Sequence, residues 1–287
     1  MIGFVGLGLM GEGFTRRLIE KGHAVTGFDI DPEKTRAAAG WGVTPAASAA
    51  EVAQASDIVL ICVINTAAVE DATLGPRGIA SVDLAGKVIV DHSTTELDAT
   101  KRIAAALADK GAQFVDAPVS GGPGAAKTGA LAIMAGGGDA AIAKISALMR
   151  DLGTMTHMGG PGTGQATKLV NQTLVLTNYC VLAEALRLAQ AYGVDAAKIP
   201  QALAPGHAGS NLLNALFPRM IAEDFTPLGF ARQVLKDLEM LQGAGREKHL
   251  AMPMASQALT LYRLLVAAGK SELDATAVVT LYPKQNP

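Results

Sequence analysis

Lys168, Asn171 and Gln172 form a cation and two amides set among Leu169, Val170, Leu174 and Val175. On a helix, residues three and four apart share a face, so either amide can stand beside the lysine. The lysine itself has two readings. It is a surface residue whose stem lies along apolar neighbours, or a desolvated group that passes a proton to and from a substrate. A second set lies at the start of the chain, Gly6-Leu7-Gly8-Leu9-Met10-Gly11. That glycine spacing permits a tight turn and close backbone approach to a pyrophosphate, whose charge a following helix N-terminus receives. Asp29 follows at about the 20-residue distance of a ribose-binding acid. It would accept hydrogen bonds from the hydroxyls of an adenosine ribose and repel a 2′-phosphate, and no arginine is expected to stand beside it to receive one. NAD is therefore expected over NADP. A third set, Ser120-Gly121-Gly122, reads locally as a turn. It also reads as a nest, a hydroxyl and successive backbone N–H groups converging on a small carboxylate.

These sets need elements to hold them. Apolar runs at residues 2–5, 24–28, 58–63, 87–91 and 113–116 read as strands, and residues 97–108 and 139–152 as helices. Ser48-Ala49-Ala50-Glu51 has the form of a capping box opening another helix, and residues 154–157 read as a last short strand. Strands alternating with helices predict a doubly wound parallel sheet of Rossmann type, whose ligands bind outside the carboxyl ends of the strands. That rule makes Cys62, Val63, Asn65 and Thr94 cofactor-contact candidates beside Gly6, Gly8, Leu9, Met10, Gly11 and Asp29. His92 has no partnering Asp or Ser motif and reads as structural. No Cys/His cluster with metal-ligand spacing occurs, so no metal is expected.

From Gln165 to Tyr192 the chain contains no glycine or proline and is rich in Leu, Ala, Gln and Glu. A helix over about 164–192 would be roughly 40 Å long, against a usual length of about 11–12 residues. Leu169, Val170, Leu174, Val175, Leu182, Ala185 and Leu186 leave almost no polar face, so burial on most sides is expected. Helical patterns follow at 196–203, 212–223, 231–243 and 253–269. The expected organisation is an α/β domain over 1–161 and an all-α domain over 162–287. Lys236, beside Asp237, reads on its own as half of a surface charge pair. Substrate side-chain contacts have no motif; Asn211, Phe230 and Gln233 are the helical-domain candidates.

Composition excludes several classes. At 287 residues, with 49% hydrophobic and 17% charged content, two cores are affordable. A net charge of −2, without a basic run or aromatic-interleaved stripe, gives no sign of a nucleic-acid partner. The two cysteines, Cys62 and Cys180, lie in apolar segments and read as thiols of a reducing compartment. With no signal-peptide pattern and no bilayer-length apolar run, a cytoplasmic protein without a membrane partner is expected.

Along essentially its whole length the chain resembles the β-hydroxyacid dehydrogenase family, which includes 3-hydroxyisobutyrate dehydrogenase and tartronate semialdehyde reductase. Four stretches in the same order carry the resemblance: residues 6–11, 116–123, 162–172 and 236–238. It implies that Lys168 is the catalytic acid/base and that Ser120, Gly121 and Gly122 bind the substrate carboxylate. It further implies that Lys236 lies at the nicotinamide end of the cofactor, and that Thr94 meets cofactor and substrate. A homodimer or homotetramer joined through the helical domains is also implied. There is one departure. Many members have asparagine four residues after the lysine, orienting the substrate hydroxyl; here Gln172 holds that place and Asn171 is one residue early. Either amide could serve. The implied reaction is reversible hydride transfer between nicotinamide and a small 3-hydroxy acid or its semialdehyde. It requires a lysine lowered by burial and positive neighbours from the usual pKa of about 10.4. An NADPH-dependent semialdehyde or imine reductase on the same scaffold is the alternative within enzymes, and a silent nucleotide-binding interaction module the alternative outside them.

Overall fold

The computed structural model describes residues 1–284. Its first half alternates strands and helices. β1 (Ile2–Val5), α1 (Leu9–Glu20), β2 (Val25–Phe28), α2 (Pro32–Ala39), β3 (Thr44–Pro45) and α3 (Ala49–Gln54) come first. β4 (Ile58–Ile61), α4 (Thr66–Leu74), β5 (Val88–Asp91), α5 (Leu97–Ala108) and β6 (Gln113–Asp116) follow. β7 (Val119–Ser120), α6 (Gly122–Thr128), β8 (Leu131–Gly137), α7 (Asp139–Leu152) and β9 (Gly153–Gly159) complete the sheet. The strand order is β3-β2-β1-β4-β5-β6-β8-β7, with β9 paired to β8. From β3 to β6 every pairing is parallel; β8 runs antiparallel to β6 and β7, so the doubly wound parallel sheet carries a mixed edge. The strand over residues 131–137 is not among the sequence expectations, because its glycines depress strand propensity.

The central strands are buried on both faces, as parallel strands covered by crossover helices must be. Phe4, Leu60, Val88 and Val90 enter one apolar cluster with Phe14 and Leu18 of α1. Val5, Val59, Ile61 and Ile89 point the other way, into a cluster with Val52, Ile103 and Leu107. Local signals set the helix starts. Asp31 accepts the Glu33 N–H ahead of α2, Ser48 that of Glu51 ahead of α3, and Asn65 that of Ala68 ahead of α4. Glu51 returns its hydrogen bond to the Ala47 N–H, one residue earlier than a capping box requires.

The second half is helical: α8 (Thr163–Ala191), α9 (Ile199–Leu203), α10 (Asn211–Ala222), α11 (Ala231–Glu247) and α12 (Pro253–Ala267). A 3₁₀ segment, Ala275–Leu281, closes it. Its start is fixed by Asp274, which accepts from the N–H and hydroxyl of Thr276 and pairs with Arg219 at 3.2 Å. Leu186, Phe217, Leu238 and Tyr262 form this unit's core, the Tyr262 hydroxyl donating to the Ala275 carbonyl.

α8 links two compact units, Met1–Lys168 and the chain from Leu169 onward. The division thus falls inside the helix, beyond its glycine-rich lead-in, because the first turn is hydrogen-bonded to the sheet. The expectation of burial on most sides of α8 is corrected: Val170, Leu174 and Ala185 are exposed. Leu176, Cys180, Leu182, Ala183 and Leu186 face the helical core, with Leu169, Val175 and Tyr179 packed against it. Val170, Leu174, Val181 and Leu188 leave an apolar stripe outward within this single chain.

Candidate active site

Where β1 ends, Gly6 takes φ +97°, and a Cβ there would lie 2.2 Å from the Cys62 carbonyl oxygen. At Gly11 a Cβ would lie 2.0 Å from the Gly6 oxygen, whereas at Gly8 nothing lies within 4 Å. The turn is therefore tight on its inner side and open at Gly8, Leu9 and Met10, where the first N–H groups of α1 lack intrahelical partners. These residues fit a pyrophosphate. Asp29, at the end of β2 and 9% exposed, accepts the Leu7 N–H at 2.7 Å and the Asp31 N–H at 2.9 Å. Each carboxylate oxygen retains lone-pair capacity for a ribose hydroxyl.

Asp29 borders a cleft of about 550 Å³ whose walls include Ile30, Pro32, Arg36, Ala46 and Arg77. The sequence expectation that no arginine stands beside Asp29 is corrected here. Arg36 reaches the cleft from α2, and Arg77 arrives from the loop after α4. Both already have partners: Arg36 pairs with Glu33 at 2.5 Å, and Arg77 donates to the Ala47 carbonyl. Lys34 stands 3.9 Å from Asp29.

The loops after β4 and β5 are tied together. The Val63 N–H donates to Ser93 Oγ at 2.9 Å, and the Glu96 N–H to Thr66 Oγ1. Cys62, Val63, Asn65 and the half-buried Thr94 thus stand at neighbouring carboxyl ends, next to the glycine turn of β1. His92 is buried; its Nδ1 donates to the Ala117 carbonyl at 2.7 Å and its ring stacks on Phe14. Burial pushes its pKa down to about 4, so it stays neutral and acts as structure.

The turn after β7 brings the lysine and the Ser-Gly-Gly set together. Gly121 and Gly122 take φ +127° and +69°, left-handed values open chiefly to glycine. Lys168, only 8% exposed, donates from Nζ to the Val119 carbonyl at 2.8 Å, beside Ser120. A surface snorkelling lysine is excluded.

In the helical unit a separate set is joined. Asn171 donates to Gln172 Oε1 at 2.8 Å, Gln172 donates to Asp237 Oδ2, and Lys236 Nζ lies 2.9 Å from Asp237 Oδ1. Asp237 is thus the joint of the set, which its i,i+1 place beside Lys236 did not reveal. Gln233 bonds the backbone of Phe230 at the start of α11, and Asn211 opens α10 exposed. Sequence reasoning also missed Asp116 and Gln165, whose side-chain bonds span distant segments, and Asp91, which holds Ser93 and Thr95 just after its strand. Among the described residues no group of three or more His, Cys, Asp or Glu side chains is placed to hold a metal. Nor is any described helix long and apolar enough to cross a membrane.

Comparison with known proteins covers both halves. Residues 1–160 match the model of the NAD-binding domain of 6-phosphogluconate dehydrogenase. Residues 162–282 match the NAD-binding domain of NADP-dependent 3-hydroxyisobutyrate dehydrogenase. The 2-hydroxy-3-oxopropionate reductase of Escherichia coli K12 is 36% identical over 280 residues, covering 97% of this chain and 95% of that one. The 2-(hydroxymethyl)glutarate dehydrogenase of Eubacterium barkeri is 34% identical, with 98% and 94% covered. The crystal structure of 3-hydroxyisobutyrate dehydrogenase from Salmonella typhimurium superposes with a TM-score of 0.88 at 28% identity, over 98% of this chain and 99% of that one.

Proposed function

The chain belongs to the β-hydroxyacid dehydrogenase family, and on that premise we propose that it oxidises a small 3-hydroxy acid, or reduces the matching semialdehyde, with NAD. The observation that carries the reading is the buried Lys168 Nζ held 2.8 Å from the Val119 carbonyl, against the Ser120-Gly121-Gly122 turn. A carboxylate accepted by the Ser120 hydroxyl and the backbone N–H groups of Gly121 and Gly122 would lie close to that lysine. Lys168 then takes the hydroxyl proton as the carbonyl forms, or returns it in reduction. When bound, the nicotinamide supplies the hydride acceptor. The small hydroxy and oxo acids for which those relatives are named support the substrate class.

Asp29 supports NAD, since a 2′-phosphate would meet a nearly buried carboxylate. Arg36 and Arg77 in the same cleft favour a second reading, use of NADP; an NADPH-dependent semialdehyde or imine reductase would follow from it. The exposed stripe of Val170, Leu174, Val181 and Leu188 on α8 supports a homodimer or homotetramer joined through helical units, to be read by sedimentation.

Replacing Lys168 tests the central role. Lys168→Ala should lower kcat by at least about 10²-fold, the lower bound for acid–base groups, while NADH binding followed by fluorescence stays near normal. A folded variant keeping more than about a tenth of its activity would remove the lysine from the chemistry.

A further inference from the structure

We propose that Asp116 is a positioning residue for Lys168: a carboxylate on the sheet that caps α8 from outside the helix and, with Gln165, fixes the turn carrying the lysine. The inference rests on the role of Lys168 proposed above.

A helix leaves its first N–H groups without intrahelical partners, and a side chain at the helix start usually accepts one of them. The residue flanking α8 is Gly162, which has no side chain to offer. The acceptor comes instead from β6. Asp116, fully buried, takes the Gly162 N–H on Oδ1 at 2.7 Å and the Gln165 N–H on Oδ2 at 2.8 Å. A negative charge at this end also meets the positive pole of the helix. The seating is close. A Cβ at Gly164 would lie 2.3 Å from the Asp116 carbonyl oxygen and 2.4 Å from that of Met134, so only glycine lets the helix reach the strand.

Gln165 adds a second grip. Its Oε1 accepts the Thr95 N–H at 3.1 Å, and its Nε2 donates to the Ser93 carbonyl at 2.8 Å. Asp91, paired with Asp116 across β5 and β6, holds the same two residues: it accepts the Ser93 N–H and the Thr95 hydroxyl. Thr94, bracketed by them, is thereby tied to the first turn of α8. One turn beyond Gln165, Lys168 reaches the Val119 carbonyl, and Val119 is as far along the chain from Asp116 as Lys168 is from Gln165. Two rungs, Asp116 to Gln165 and Val119 to Lys168, register the helix against the substrate turn.

Positioning of this kind acts on the chemical step, because a displacement of about 1 Å can cost about 10²-fold in rate. Asp116→Asn keeps one acceptor and turns an N–H donor toward another donor. Gln165→Met keeps the side-chain length and deletes both bonds to Ser93 and Thr95. Each variant, assayed well below its melting temperature, should lose about 10-fold or more in kcat, with the dissociation constant for NADH changed less than about threefold. Should Asp116→Asn fail to accumulate as folded protein, Gln165→Met decides. Gln165→Glu, which retains the Thr95 contact but not the donor to Ser93, should fall between Gln165→Met and the unmodified protein. Lys168→Ala is measured alongside. If Lys168→Ala is inactive while the folded variants keep an unmodified kcat, the positioning role is wrong and the lysine's role stands. If Lys168→Ala stays active, the premise fails with it.

Discussion

The side-chain amide of Asn171 donates to Oε1 of Gln172 at 2.8 Å, so two adjacent amides on α8 form one hydrogen-bonded unit. Gln172 passes the chain on to Asp237, whose other oxygen faces Lys236. The place four residues after Lys168 is therefore held by an amide whose orientation depends on its neighbour. Asn171→Ala and Gln172→Ala should each lower kcat/KM, and the double variant should cost less than their sum. Residues sharing one network couple by about 0.5–3 kcal/mol. A double-mutant cycle that closes additively, within about 0.3 kcal/mol, would mean the two amides act independently.

Cofactor preference is expected to turn on Asp29. The unmodified enzyme should use NAD with a kcat/KM at least about 10-fold above that for NADP, a difference of about 1.4 kcal/mol. Asp29→Ser removes the charge and should narrow the ratio. It should also lower NAD efficiency, because the Leu7 N–H loses its acceptor. Adding Arg36→Ala and Arg77→Ala should then weaken NADP use selectively, since both guanidinium groups border the cleft. Equal use of both cofactors by the unmodified enzyme would overturn the assignment of Asp29.

His92 predicts a pH effect on stability. Burial holds its imidazole at about 4, below the ordinary value of about 6.5. A depressed pKa contributes stability that is present above the unfolded value and lost as pH falls through the folded one. Asp116 acts oppositely: burial raises its carboxyl to about 6, so its contribution is present at low pH and lost as pH rises through 6. A comparison of His92→Gln with the unmodified protein leaves Asp116 common to both. Between pH 7 and about pH 4.5 the stability difference should move toward the variant by up to about 3 kcal/mol. Melting curves at the two pH values measure it; a constant difference would show that His92 does not stay neutral.

What the sequence disclosed follows the range of the interactions. The glycine turn, Asp29, the helix cap at Ser48 and the central strands are local patterns, each written within a few residues. Lys168 was legible as a type of residue but not as a buried one, because its partner Val119 is 49 residues away in the chain. Asp116 was visible only as the last residue of the strand at 113–116 and the first of the stretch 116–123. Its acceptance of N–H groups 46 and 49 residues later has no sequence signature. The outward face of α8 misled for a different reason: apolar residues all round a helix signal burial, and which of them the chain's own core covers depends on α10, α11 and α12. The arginines of the Asp29 cleft were hidden likewise, since Arg77 arrives there from beyond β4.

The substrate carboxylate should be the principal recognition element, read at Ser120-Gly121-Gly122. The two glycines hold left-handed conformations that turn backbone groups into the bend, and Lys168 lies against the preceding residue. Hydrogen bonds to a charged acceptor contribute about 1.5–3 kcal/mol each, about 10–100-fold per bond lost. A methyl ester of a good substrate loses the charge and gains bulk, so its kcat/KM should fall by at least about 10²-fold. Ser120→Ala should lose less, because the backbone donors remain, and most of its loss should be in KM if the serine binds ground and transition states alike. The decisive measurement pairs acid with ester on the unmodified enzyme under one set of conditions. Equal efficiency would reduce Ser120-Gly121-Gly122 to a turn and remove the small carboxylate from the substrate class, while the dinucleotide site at Gly6, Gly8 and Asp29 would be untouched by that result.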